Sequence, residues 1–274
     1  MKYAFMTFST PTLSLRDTIA MARRFGYDGV ELRLDAGHAH GVEVGLSDDD
    51  RKRVREQAES AGISIACLAT SLRLVDPATA ETTRAEARAR LALAADIGCP
   101  CIRVFGGPVP AGMSRQEAIE QVVRSLCAVA DDAAARGVTI CLETHDDWSD
   151  PRHVAAVLRD AAHPAIACNW DVMHPVRTGA ATVDAAWAML RPWIRHVHLH
   201  DGRFGEGVQL VPIGQGMVDH RAVIRLLLQA GYTGFLSGEW INWEPYEVHL
   251  PRELATLRAI ERELSGRRGN GDDT

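Results

Sequence analysis

The chain has 274 residues, 46% of them hydrophobic and 24% charged, an ordinary globular composition. Its formal net charge of −6 gives no broad attraction for a phosphate backbone, so nucleic acid is not an expected partner. No window approaches the roughly 18 apolar residues that span a bilayer, and residues 1–9 are too short and polar for a signal-peptide core. A cytoplasmic protein with no membrane association is expected. Lys2 and Lys52 are the only lysines, and the six cysteines fit neither a zinc ribbon nor a CxxC redox pair. The cysteines read as buried small hydrophobes in a reducing compartment.

In chain order, residues 1–8 supply a first strand. Ser14, with Asp17 three positions on, caps a helix that runs to Phe25 and ends at Gly26. Strand 29–33 follows. Ser47 opens a second helix whose first turn carries Asp48, Asp49 and Asp50, where the macrodipole favours negative charge, and Gly62 closes it. Strand 63–68, an Ala/Arg-rich helix 79–97 and strand 101–105 come next. Ser114 and Glu117 form a capping box for a fourth helix ending near Gly137, and Gly106-Gly107, lacking the Lys and Ser/Thr of a phosphate loop, reads as a turn. Strand 138–142, helix 151–160, strand 165–170, helix 183–190 and strand 194–199 continue the alternation. Asp219 caps a helix that ends at Gly231, strand 234–238 is the eighth, and helix 251–264 closes the chain.

Eight strands alternating with eight helices indicate an α/β chain with a parallel sheet, and eight units indicate closure into a single (β/α)8 barrel. An open doubly wound sheet is disfavoured because no Gly-x-Gly-x-x-Gly follows the first strand. The barrel is expected over residues 1–264 and a disordered tail over 265–274, which is rich in Gly, Arg and Asp.

Active sites of such barrels lie at the C-terminal ends of the strands. There the fifth strand ends on Glu143, the sixth on Asn169-Trp170-Asp171, the seventh contains His196 and His198, and the eighth ends on Glu239. Three carboxylates converging at one mouth repel each other and raise each other's pKa, a conflict that a divalent cation removes. One neutral imidazole with three carboxylate oxygens suits Mn²⁺, and also Co²⁺, Mg²⁺ or Zn²⁺, and leaves positions open for substrate. His196 and His198 share one side of an ideal strand, so one of the two is a supporting residue.

The chain resembles the xylose-isomerase-like barrels, the branch of sugar isomerases, ketose 3-epimerases, hydroxypyruvate isomerases and inosose dehydratases. The resemblance runs over nearly the whole chain. It is carried by Gly29-Val30-Glu31, Leu142-Glu143-Thr144-His145, Asp171-Val172-Met173-His174, His196-Val197-His198-Leu199-His200-Asp201, Gly214-Gln215-Gly216-Met217-Val218-Asp219 and Gly238-Glu239-Trp240. It implies that Glu143, Asp171, His198 and Glu239 bind the metal, and it favours His198 over His196. It also implies that His174 and Arg203 contact substrate oxygens, and that the protein forms a dimer or tetramer. His200 departs from the pattern, because many members carry Lys there. Lys2 and Lys52 fall far from the expected mouth, which argues against a xylose-isomerase hydride shift and excludes Schiff-base chemistry. The additional His and Asp ligands of the three-metal apurinic endonucleases are absent from the pattern.

A keto sugar or related polyol ketone is therefore the expected substrate. The metal polarises the carbonyl, Glu143 and Glu239 exchange the α-proton from opposite sides, and the metal stabilises the enediolate between them. His145 and Trp240 are further candidate substrate contacts, and the rings of Trp148, Trp170 and Trp243 are available to pack on a sugar. Glu31, ending the second strand, orients a ligand or pairs with an Arg. His38 and His40 stay outside the expected metal site. Loss of a β leaving group from the same carbanion would make the enzyme a dehydratase or lyase on an inosose or 3-keto glycoside. A metal-free ligand-binding barrel is the alternative from a different class.

Overall fold

The computed structural model describes residues 1–205 and 207–266. Its strands are β1 (Lys2–Met6), β2 (Gly29–Arg33), β3 (Ser64–Arg73), β4 (Cys101–Phe105), β5 (Thr139–Glu143), β6 (Ile166–Asp171), β7 (Ile194–Leu199), β8 (Asp201–Phe204), β9 (Val208–Val211) and β10 (Phe235–Gly238). Eight of them close a parallel barrel in the order β1-β10-β7-β6-β5-β4-β3-β2. β8 and β9 form a separate antiparallel hairpin that leaves the barrel immediately after β7. The helices are α1 (Leu15–Phe25), α2 (Asp48–Ala61), α3 (Ala80–Asp96), α4 (Arg115–Ala135), α5 (Pro151–Ala161), α6 (Met173–Arg177), α7 (Val183–Leu190), α8 (His220–Gln229) and α9 (Tyr246–Gly266). The single (β/α)8 barrel is thus the architecture of the described chain. No helix among the described residues is long and apolar enough to cross a membrane.

The helix boundaries follow local chemistry. Ser14, Ser47 and Asp219 each accept a backbone N–H from the residue three positions on, satisfying an otherwise orphaned donor. Ser114 and Glu117 form the full reciprocal capping box of α4. Gly26 and Gly62 end α1 and α2 with φ of 86° and 68°, a conformation that costs glycine nothing. The strands are buried on both faces, as a helix-covered parallel barrel requires, so Val30, Leu32, Leu68, Ile102, Leu142 and Val197 join one continuous core. All six cysteines are free, and five of them pack in the interior.

Four segments differ from the sequence expectation. β3 runs on to Arg73 rather than stopping at 68, because its pairing with β4 resumes after a register shift, at Arg73 opposite Phe105. α9 starts at Tyr246 and carries Pro251 inside it. Its early turns are held by tertiary contacts: His249 Nε2 lies 3.0 Å from Ser9 Oγ, and the Tyr27 hydroxyl donates to the Leu250 carbonyl at 2.9 Å. α6 and the β8–β9 hairpin are additions to the alternation. Residues 267–274, most of the expected tail, lie outside the described residues.

The turn after β4 is tightly filled. Trp148 is fully buried, and its indole N–H donates to the Gly107 carbonyl at 2.8 Å. A Cβ on Gly106 would overlap the indole ring. Gly106→Ala should therefore destabilise the fold by about 1–3 kcal/mol through overpacking, seen as a Tm drop of roughly 2–4 °C per kcal/mol in thermal unfolding by circular dichroism. Gly45→Ala, with open space at its Cβ, should leave Tm unchanged; equal Tm values for the two variants would contradict this account.

Candidate active site

Glu143, Asp171, His198 and Glu239 converge at the C-terminal mouth of the barrel. β5, β6, β7 and β10 are successive neighbours in the ring, and their register sets the convergence. Glu143 pairs with Asn169, Asp171 with His198 and Ser237 with His198, so the side chains emerge at nearly one level. Just beyond β10, the Glu239 N–H donates to the Leu199 carbonyl at 3.0 Å. One ligand-type atom from each of the four side chains lies within 4.8 Å of the others, and all four residues are buried.

His198 is the centre of this cluster. Its Nδ1 is 2.7 Å from Glu143 Oε1 and 3.2 Å from Glu239 Oε2. On the opposite edge Nε2 is 3.0 Å from Glu31 Oε1, and Glu31 Oε2 is 2.9 Å from His196 Nε2. A carboxylate can only accept, so Glu31 takes the Nε2–H and turns Nδ1 toward Glu143 and Glu239. Burial disfavours the His198 cation, but Glu31, Glu143 and Glu239 outweigh it and raise the pKa well above the usual imidazole range. Burial likewise opposes ionisation of Glu31, Asp171 and Glu239. The histidines beside them prevail, leaving Glu31 and Asp171 well below the usual range and Glu239 at about 2.

Glu143 Oε2, Asp171 Oδ2 and Glu239 Oε2 are buried without a hydrogen-bond donor of good geometry. Their contacts are of ion-pair type: Arg103 Nε lies 3.2 Å from Glu143 Oε2, His200 Nε2 2.8 Å and His174 Nε2 4.0 Å from Asp171 Oδ2, and His198 Nδ1 3.2 Å from Glu239 Oε2. Three such oxygens with one imidazole nitrogen form a donor set suited to a divalent cation. Other trios of ligand-type groups occur among the described residues. Glu31, His196 and His198 satisfy one another by hydrogen bonds, Cys67, Cys101 and His196 belong to the packed interior, and Asp171, His174 and His200 share Asp171 with the four-residue cluster.

A cavity of about 250 Å³ opens onto the cluster. Glu239, His145, His174 and His200 line its polar side. Phe105, His145, His174 and His200 run along this side with centroid separations of 4.7, 4.3 and 5.6 Å. Burial lowers the His174 pKa to about 4 despite nearby Asp171, so this imidazole is neutral. Burial also opposes the charged form of His200 and His145, but Asp171 raises the first, and the Asp146 contact at 2.9 Å raises the second.

Two expected substrate contacts are placed elsewhere. Arg203 is exposed on β8, which has already left the barrel. Trp240 is 1% exposed, packed over Gly238 and against both Trp243 and His249, and is too buried to offer a ring face to a substrate. Trp148 and Trp170 are also fully buried. His40 is held by the Arg33 carbonyl and the Val42 N–H, a structural role.

Three residues with defined roles went unrecognised in the sequence: Arg103, Asn169 and His200. Arg103, buried inside β4, contacts Glu143 and donates to the Thr70 carbonyl. A lone Arg inside the apolar run Cys101-Ile102-Arg103-Val104-Phe105 is the signal that could have found it. Asn169 places its amide 3.0 Å from His198 Nδ1. Asp201 fixes the hairpin: its carboxylate accepts the N–H groups of Gly202, Gly214, Gly216 and Val218 at 2.9–3.2 Å. A Cβ on Gly216 would overlap that carboxylate, and Gly214 adopts a φ of 87°, so each position of the Gly214-x-Gly216 pair has its own need for glycine.

A closed parallel barrel with buried carboxylates and imidazoles at its C-terminal mouth defines a class of barrel with a candidate metal site. The chain belongs to the xylose isomerase-like TIM barrel family, whose sequence pattern matches residues 19–261. Among solved structures it is similar to the probable 3-DHS dehydratase AsbF of Bacillus anthracis, at 22% identity and a TM-score of 0.79, covering 94% of this chain and 99% of that one. It is also similar to an L-ribulose 3-epimerase, at 18% identity and a TM-score of 0.80, covering 100% and 99%. Both likenesses are of fold. A shorter segment is 34% identical over 74 residues to the 3'-dehydrocarminate deglycosidase alpha subunit of a Microbacterium species, covering 23% of this chain and 18% of that relative.

The raised His198 pKa means that this imidazole carries an extra proton near neutrality, which a metal must displace. Metal uptake should release about one proton near pH 7, and affinity should rise with pH until the raised pKa is passed. Calorimetry in two buffers of different ionisation heat measures this; an affinity that does not vary with pH, with no proton released, would contradict it. Glu31→Gln should weaken metal binding by about 10–100-fold.

Proposed function

We propose that the protein is a divalent-metal-dependent sugar isomerase or epimerase acting on a keto sugar or related polyol ketone. The observation that carries this reading is the buried convergence of Glu143, Asp171, His198 and Glu239 beside a cavity that also receives His174. These four residues would hold the cation, with Mn²⁺ the preferred ion. When bound, it would polarise a substrate carbonyl and lower the cost of charge on the adjacent oxygens.

The chain's own groups then handle the proton. One of Glu143 and Glu239 takes the proton from the carbon next to the carbonyl, and the C–H electron pair moves into the enediolate. The other returns a proton to the opposite face, giving an epimer, or to the neighbouring carbon, giving an isomer. Neutral His174 donates a hydrogen bond to a substrate oxygen as charge develops there.

A second reading, β-elimination from a 3-keto glycoside, is favoured by one feature. His145, paired with Asp146 and facing the cavity, is placed to protonate a departing oxygen or carbon. The segmental likeness to a dehydro-glycoside deglycosidase subunit supports the same outcome. Both readings share the first proton abstraction.

The test is incubation of the Mn²⁺-loaded protein with ketoses and 3-keto glucosides in D₂O, followed by NMR. A product of unchanged composition with solvent deuterium beside the carbonyl supports the isomerase or epimerase, whereas a released aglycone with an unsaturated ketone supports the lyase. Glu143→Gln and Glu239→Gln should each lower turnover by about 10²–10⁴-fold. Asp171→Ala and His198→Ala should lose the metal by elemental mass spectrometry. Full turnover in Glu143→Gln with metal retained would overturn the assignment, and no metal in the wild type would leave a ligand-binding barrel.

A further inference from the structure

The cavity over the candidate site is amphipathic. Its polar lining is Glu239 with His145, His174 and His200, whose rings form one contiguous run, and its apolar lining is Met173, Val208, Leu210 and Ile241. The apolar side is built by ordinary strand geometry. Val208 and Leu210 are two apart on β9 and so share one face of the hairpin, while Ile241 stands two residues beyond Glu239. Val208 is 40% exposed and Ile241 44% exposed, and they are two of the few large hydrophobic side chains on the surface of the described residues. The Asp201 carboxylate ties the start of the hairpin to residues 214–218 that follow it, which pins the base of the hairpin, and Val208 and Leu210 line the cavity from it.

An unsubstituted ketose fits this cavity poorly. Its hydroxyls would meet the polar side on one hand, and aliphatic carbon with no hydrogen-bond partner on the other. A ligand with a hydroxylated carbonyl ring at one end and an apolar group at the other satisfies both sides. We infer that the substrate is a keto sugar bearing an apolar aglycone, with the sugar ring against Glu239 and the histidines and the aglycone against Val208, Leu210 and Ile241. This inference rests on the proposed ketone chemistry and names the substrate class for the same site.

The experiment measures binding, so it does not depend on which reaction follows. The affinities of Mn²⁺-loaded protein for phenyl and for methyl 3-keto-β-D-glucoside are compared by calorimetry, in the wild type, Val208→Ser, Ile241→Ser and the double variant. The phenyl compound is expected to bind at least tenfold more tightly than the methyl compound in the wild type. That ratio should fall toward one in the double variant, with metal content per chain retained as the check on folding. Equal affinities in the wild type, or a ratio unmoved in the double variant, would overturn the apolar subsite while leaving the ketone reading standing. Failure of both compounds to bind would overturn both. A change in oligomeric mass on Val208→Ser or Ile241→Ser without a change in the ratio would assign the face to an interface between chains and overturn the inference.

Discussion

Everything at the mouth of this barrel follows from one electrostatic constraint: ionised carboxylates gathered around a single buried imidazole. Glu31, Glu143 and Glu239 all lie within 3.2 Å of His198 nitrogens, and Asp171 joins them from the adjacent strand. Burial penalises every one of these charges. The side chains answer the penalty among themselves, with His198 and His200 favoured in their charged forms and with Arg103 against Glu143. A divalent cation would answer it with one compact charge, and its competition with the His198 proton would couple the site to pH.

The two edges of His198 divide the labour. Glu31 sits behind the ring and fixes it through Nε2, and Nδ1 faces the other carboxylates. Glu31 also grips His196, so the two histidines that are equivalent in sequence become unequal in space. His196 meets Glu31 alone among these carboxylates, whereas His198 also presents Nδ1 to Glu143 and Glu239. The barrel mouth thereby keeps a rigid layer beneath the cavity and a set of incompletely satisfied oxygens facing it.

The hairpin after β7 is an insertion anchored by a single buried carboxylate, and it contributes surface without entering the barrel's hydrogen bonding. Solved structures that share the fold are named for epimerisation and for probable dehydration. In the proposed chemistry, proton removal beside a carbonyl would fall to the centre, and the fate of the carbanion would depend on what the periphery places next to it. Here the periphery places His145, His174 and His200 on one side and aliphatic groups on the other.

The amino-acid sequence by itself determined the alternation of elements, because caps such as Ser14, Ser47 and Ser114, terminal glycines and apolar strands act over a few residues. It also displayed the four strand-end candidates, since a strand's last residue in a barrel has only one end of the molecule to occupy. The roles of Glu31, Arg103 and His200 were decided by tertiary structure. Each depends on a partner 29 or more positions away (Glu31 with His198, Arg103 with Glu143, His200 with Asp171), and nothing local encodes that distance. Arg203 and Trp240 show the converse. Both stand beside motif residues in sequence, yet one rides out on the hairpin and the other turns inward over Gly238. Sequence proximity fixes where the backbone is, whereas closure of the ring decides which side chains meet.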